Sequence, residues 1–169
     1  MTELAPLRMR RSLRGPIDKP IWPDGVNLKA FSESYAAEVH ALLELAYANG
    51  GGSVASFDEW WPGLAGDSEY DPNLVFPAYD GVGTIVAVAQ CWTSAFVKDF
   101  VVHPRFRRRG LGRALLLHVF HVFRERRDEA VDLKVQANNP SGAFHFYEDL
   151  GMAIVSNRPT TAASSGLRA

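Results

Sequence analysis

The sequence predicts an α/β (α+β) domain of about six strands and about four helices. Three observations carry this reading. Apolar runs with two-residue alternation recur along the chain, interspersed with segments of helical period. Three of the strands follow one another through tight turns, which makes them antiparallel neighbours. One strand, from Phe96, passes through an arginine- and glycine-containing loop into a long amphipathic helix.

At 169 residues the chain suits one domain with a sizeable core. Its hydrophobic content of 47% and charged content of 22% are ordinary for a globular protein. A net charge of −1 gives no bulk attraction to nucleic acid or membrane. The single cysteine, Cys91, excludes an intrachain disulfide and fits a reducing compartment. No apolar run reaches the roughly 18 residues of a membrane span. The arginines Arg8, Arg10, Arg11 and Arg14 are not followed by the apolar segment of a signal peptide, so the expected location is cytoplasmic.

Residues 1–25, basic and interrupted by Pro16, Pro20 and Pro23, read as an N-terminal extension, with a solvated tail favoured over contact with an acidic partner. The domain then runs from 26 to 157, and 158–169 is a small, polar C-terminal tail. Val26–Phe31 alternates as a strand. Ser32 or Ser34 caps a helix through about Ala48, with Val39, Leu42, Leu43 and Ala46 as its apolar stripe and Asn49-Gly50-Gly51-Gly52 as its end. Ser56-Phe57-Asp58-Glu59 is a capping box, opening a short helix that carries Trp60 and Trp61 before Pro62-Gly63. Leu74–Tyr79 is a strand that Pro77 marks as irregular or at an edge. Asp80–Gly83 turns it into Thr84–Trp92, and Thr93-Ser94 turns that into the strand from Phe96.

The helix after Gly112 reaches about Arg127. Leu111, Leu115, Val119 and Val122 line one face, and Leu116, Phe120 and Phe123 widen it, so it lies centrally against the sheet. Val131–Val135 is a strand. Asn139 and Pro140 can open a helix that stops at Gly151, and Met152–Val155 is a last short strand.

The chemistry concentrates in Val101-Val102-His103-Pro104 followed by Arg107-x-x-Gly110-x-Gly112. A glycine-containing loop at a helix N-terminus presents unpaired backbone N–H groups at the positive end of the helix dipole, an arrangement that holds a phosphate. A Walker loop needs Gly-Lys-Ser/Thr where this chain has Gly112-Arg113-Ala114. A dinucleotide fingerprint needs a third glycine where Leu115 stands. His103, His118 and His121 lack zinc-ligand spacing, so no metal is expected.

This loop resembles the coenzyme A diphosphate loop of the GNAT superfamily of N-acetyltransferases. A second stretch, Asn139 to Met152, is similar to the superfamily's C-terminal signature through its asparagine, the Phe146-Tyr147 pair and the Leu150-Gly151-Met152 stop. The resemblance covers roughly 26–157. It implies a mixed, strongly twisted central sheet in which the strand ending at His103 splays from Val131–Val135, leaving a cleft for acetyl-CoA as acetyl donor. By the same resemblance, backbone groups of Phe100, Val101 and Val102 would pair with the pantetheine arm and polarise the acetyl carbonyl. Arg107, Arg108, Arg109, Gly110, Leu111, Gly112 and Arg113 would hold the diphosphate. Asn139 and Phe146 would contact the cofactor, Asn139 alternatively capping its helix. Tyr147 would be the general acid that protonates the departing thiolate, rather than one more core aromatic.

The base is Asp99, beside the implied acetyl position, or else Glu59, Asp58 or a water chain. Trp60, Trp61 and Glu59, with the nearby acids Asp58, Asp67, Glu69 and Asp71, either form an acceptor wall for a cationic, partly apolar amine or are core tryptophans and a solvated acidic loop. The implied function is direct acetyl transfer, in a ternary complex, to an amine of a small molecule, peptide or protein. The alternative is a non-catalytic acyl-CoA-binding regulatory module. Cys91 has no paired base to make it a nucleophile, and nucleic-acid binding through Arg8–Arg14 and Arg105–Arg109 is not supported by the overall charge. One departure stands out: the superfamily usually adds a final strand beyond the one at Ile154, and 158–169 does not read as one. Either the sheet is a strand short or a second copy of the chain, as a homodimer, covers the edge.

Overall fold

The computed structural model describes residues 5–136 and 142–155. In chain order the strands are β1 (Leu7–Ser12), β2 (Asn27–Leu28), β3 (Val75–Tyr79), β4 (Ile85–Trp92), β5 (Phe96–Val102), β6 (Ala130–Val135) and β7 (Ala153–Val155). The helices are α1 (Ala36–Tyr47), α2 (Phe57–Ala65), α3 (Leu111–Glu125) and α4 (Ala143–Asp149). The strands form one mixed sheet in the order β2-β3-β4-β5-β6-β1-β7. Pairing is antiparallel throughout except between β5 and β6, the parallel pair that α3 connects.

The seventh strand is β1, which comes from the stretch expected to be an extension preceding the domain. Its alternation explains its place. Met9 is wholly buried, and Leu7 packs beside it on the face covered by α3. Arg8 and Arg10 project from the opposite face, where both bind the buried Asp132 on β6. Arg11 donates from Nε to the carbonyl of Leu150 at 3.1 Å and lies over the Phe120 ring, placing a cation at the C-terminus of α4. Gly151, with φ 88°, leaves the room this needs, because a Cβ there would stand 2.8 Å from Arg11 Nε. These arginines serve the sheet and are not a solvated cluster. A seventh strand is thus supplied from the other end of the chain, with β1 between β6 and β7 and β7 at the edge of the described sheet.

The sheet separates two apolar clusters. One unites α3 and the inner face of α4 with β1, β4 and β6 through Leu115, Leu116, Phe120, Phe123, Val131 and Leu133. The other packs α1 and α2 against β3–β5 through Val39, Leu43, Trp60, Val88 and Val101. Each fully buried side chain of this size contributes about 1.5–3 kcal/mol. The Ser56 side chain makes no capping hydrogen bond, so the expected capping box does not form; the Ser56 carbonyl instead accepts from Glu59 and Trp60. α2 runs on through Pro62 to Ala65, burying Leu64. No helix among the described residues is long and apolar enough to cross a membrane.

Two irregularities prepare the site. Gln90 is registered with Asp99 and Cys91 with Val97, so Lys98 is an extra residue bulged out of β5. The bulge turns Asp99 to the α1 side of the sheet. Its parallel partner β6 meets β5 only at Phe96–Asp132 and Val97–Leu133. Beyond these pairs, Phe100–Val102 bond β4 on one side and face an opening wedge on the other.

Candidate active site

The splayed end of β5 leads into a loop whose shape follows from three local features. His103 Nδ1 accepts from the Arg105 amide at 3.1 Å and starts a single 3-10 turn, Pro104–Phe106. Arg107 Nε then donates to the carbonyl of Val102 at 3.2 Å, folding the loop back over the strand end. Arg108 and Gly110 adopt positive φ, 61° and 83°, which brings successive amides to one side in the manner of an anion-binding nest. Gly110 has no side chain with which to cap α3, so the first-turn N–H groups are left to an external acceptor. Arg107, Arg108 and Arg109 are exposed around them, and Arg113 pairs with Asp18 at 2.8 Å. Gly112 fits its surroundings closely, since a Cβ there would lie 3.3 Å from Phe146 Cζ and 3.5 Å from a Val102 methyl. Leu111 is buried and anchors the helix start.

Across the wedge stands α4. The Phe146 ring stacks on Phe100 with centroids 6.0 Å apart, and Tyr147 meets Phe100 edge-on at 6.2 Å. Tyr147 is 8% exposed, and burial pushes its phenol well above the usual tyrosine range, so it is fully protonated at neutral pH. The fold thus brings Phe100, Val102, Gly112, Phe146 and Tyr147 together at one place. Asn139 lies outside the described residues.

Asp99 is buried on the other side of β5. Its Oδ1 accepts a 2.7 Å hydrogen bond from the Tyr47 hydroxyl and its Oδ2 a 3.1 Å bond from Lys98 Nζ. Burial first, then the nearby Asp99 charge, pushes the Tyr47 phenol far above its ordinary value, with Tyr147 adding to the effect. Gln90, registered opposite Asp99, is also buried; its amide nitrogen donates to the Cys91 carbonyl at 3.1 Å, bracing the bulge. The Cys91 thiol is wholly buried, and burial pushes it up, which suits a packing residue and not a nucleophile. Among the described residues no group of three metal-ligating side chains occurs.

Trp60 is in the core, 8% exposed, with His40, Phe57 and Trp61 around its ring. Trp61 is half-buried and donates from Nε1 to Glu33 at 3.2 Å, while Glu59 is exposed. Of the three residues expected to form an acceptor wall, Trp60 is therefore taken up by packing. Tyr47 was missed. It ends α1, and its partner Asp99 lies 52 residues away; the local signal was Gly52, whose missing Cβ would stand 2.8 Å from the Tyr47 ring.

A mixed sheet opened between two parallel strands thus carries an arginine-rich amide nest at one end of the opening and a buried phenol beside it. Residues 36–152 match the Acetyltransferase (GNAT) family, and the chain belongs to that family. It is 29% identical over 161 residues to a mycothiol acetyltransferase of Propionibacterium freudenreichii subsp. shermanii, covering 88% of this chain and 50% of the relative. A mycothiol acetyltransferase of Rhodococcus erythropolis is 27% identical over 170 residues, with 88% and 55% covered. The chain spans about half the length of these curated relatives. Among solved structures, a GCN5-related N-acetyltransferase from Sphaerobacter thermophilus superposes with a TM-score of 0.75 at 26% identity, covering 89% of this chain and 48% of that one. The ribosomal-protein-S18-alanine N-acetyltransferase of Escherichia coli shares the fold, with a TM-score of 0.54 at 24% identity, covering 75% and 76%.

Proposed function

We propose that this chain is an N-acetyltransferase that moves the acetyl group of acetyl-CoA directly to an amine. The observation that carries the reading is the wedge between β5 and β6, closed at one end by the Arg107–Gly112 nest and flanked by Tyr147. The residues present fit a thioester carrying a diphosphate. The nest and α3 N-terminus offer backbone donors and positive charge to the diphosphate. The edge of Phe100–Val102 that β6 leaves unpaired offers ladder hydrogen bonds to the amides of the pantetheine arm, which would share the Val102 carbonyl with Arg107 Nε. When bound, acetyl-CoA supplies the activated acyl carbon.

The protein's own groups manage the protons. Asp99 takes one proton from the ammonium form of the acceptor and so frees the nitrogen lone pair. The nitrogen bonds to the acetyl carbon and releases its second proton to solvent, and Tyr147 gives its phenolic proton to the sulfur as the carbon–sulfur bond breaks. Solvent exchange then returns Asp99 and Tyr147 to their starting states. The curated relatives' names, mycothiol acetyltransferase, support acetyl transfer in general. The acceptor is an amine of a small molecule, peptide or protein, and the exposed Glu59 and half-buried Trp61 of α2 are the groups available to contact it.

Calorimetry with acetyl-CoA and a thiol-release assay against polyamines, arylalkylamines and amino acids test this reading. Binding with amine-dependent thiol release is expected. Absence of acetyl-CoA binding by folded protein overturns it, and binding without turnover favours the regulatory module.

A further inference from the structure

Two very different partners hold the carboxylate of Asp99. Tyr47 reaches it from the last residue of α1 and donates to Oδ1 at 2.7 Å. Its ring is wedged: the backbone of Gly52 lies so close that any side chain there would collide with it, at 2.8–3.1 Å from three ring atoms. Lys98, in contrast, projects from the bulge with 42% of its side chain exposed and reaches Oδ2 at 3.1 Å. The Asp99 side chain at the other end of this pair is only 9% exposed, so the lysine is the partner that solvent, or another ammonium, can replace. One oxygen is thus held from inside the fold, and the other by an amine that reaches it from the surface.

This inference rests on the N-acetyltransferase reading and deepens it. We propose that Tyr47 is the positioning residue for Asp99: it pins Oδ1 and fixes the carboxylate plane, so that Oδ2 is the seat of the acceptor amine, which enters by displacing the Lys98 ammonium. The charged and titratable groups around Asp99 are Tyr47 from α1, Lys98 from β5 itself and Cys91 from β4, with Tyr147 of α4 acting on Tyr47. Lys98 marks the chemistry of the seat, because it is itself a primary alkylammonium. The acceptor class that follows is a primary amine on a flexible or partly apolar carbon frame.

The test is Tyr47→Phe in the full chain, assayed with the best amine of the panel above. The expected result is an unchanged KM for acetyl-CoA and a kcat/KM for the amine reduced about 10- to 100-fold, the scale of a lost hydrogen bond to a charged group. In an Asp99→Asn background, Tyr47→Phe should add no further loss. A merely structural tyrosine would lower the melting temperature, raise the KM for acetyl-CoA as well and cost the same in both backgrounds, and that result overturns the proposal. If Tyr47→Phe does not fold, Gly52→Ala, which presses on the ring and leaves the phenol present, should lower kcat/KM for the amine and leave the KM for acetyl-CoA in place. A costly Asp99→Asn with a silent Tyr47→Phe removes the positioning role alone, whereas an Asp99→Asn enzyme of full activity removes the base assignment beneath it.

Discussion

Arg10 grips Asp132 with two hydrogen bonds, Nε to Oδ1 at 2.7 Å and Nη2 to Oδ2 at 2.9 Å, across 122 residues of sequence. Arg8 adds a third bond at 2.7 Å to Oδ2. Asp132 is only 6% exposed, and the two guanidiniums hold its carboxyl below the usual carboxylate range against the opposing cost of burial. Because its folded value is depressed, the stabilisation is present above the ordinary carboxylate pKa and is lost as pH falls through the folded one. Asp132→Asn removes the charge that both arginines serve. It should destabilise the fold by about 2 kcal/mol, lowering Tm by roughly 4–8 °C, as thermal melting at neutral pH would report.

The nest should be sensitive to what replaces Gly112. A valine there places its methyl groups against Phe146 and Val102, which already sit 3.3 and 3.5 Å from the Cβ position. Gly112→Val should weaken acetyl-CoA binding by about tenfold or more, through displacement of the α3 start, while Arg107→Ala should cost a similar factor that shrinks at high salt. Isothermal titration at two ionic strengths measures both.

Tyr147→Phe deletes one hydroxyl from a buried ring that keeps its contacts with Phe100 and Phe146. Turnover should fall about 100-fold or more, within the range for loss of a general acid, while acetyl-CoA affinity holds. Steady-state kinetics paired with calorimetry separates the two quantities.

His118 gives the fold an acid sensitivity of its own. It packs edge-on against Phe76 at 5.1 Å and beside Trp22 at 6.2 Å, and burial first, then His121, lowers its pKa, with Glu125 opposing. A depressed histidine favours the neutral form in the folded state. Its stabilisation is complete above the unfolded value of about 6.5 and is lost as pH falls below that. His118→Leu should therefore narrow the difference in Tm between pH 7.5 and pH 5, a result differential scanning calorimetry would show.

Much of the site was legible because it is built from neighbours. The Arg107–Gly112 loop announces itself through residues whose backbone geometry is set locally, and Phe146 and Tyr147 are adjacent on one short helix, though the ring they both meet, Phe100, lies on β5. What escaped was set by distant partners. The pattern Leu7-Arg8-Met9-Arg10 alternates as a strand should, yet its acidic counterpart is Asp132, so the basic side chains read as a tail. Tyr47 looked like the last turn of a helix, because nothing nearby names Asp99 as its partner. Trp60 was ambiguous for the opposite reason: an aromatic pair on a short helix suits a wall or a core equally, and only the packing of His40 and Phe57 around it decides.

The threading of β1 between β6 and β7 has a consequence for biosynthesis. The ribosome delivers Leu7–Ser12 before Ala130–Val135 and Ala153–Val155, so β1 cannot complete its ladder until both partners have been made. Pairings of such sequence separation carry a large loop-closure cost and slow a sheet's formation. A strand still waiting for its partners presents an open edge, the kind of surface that nascent chains aggregate through.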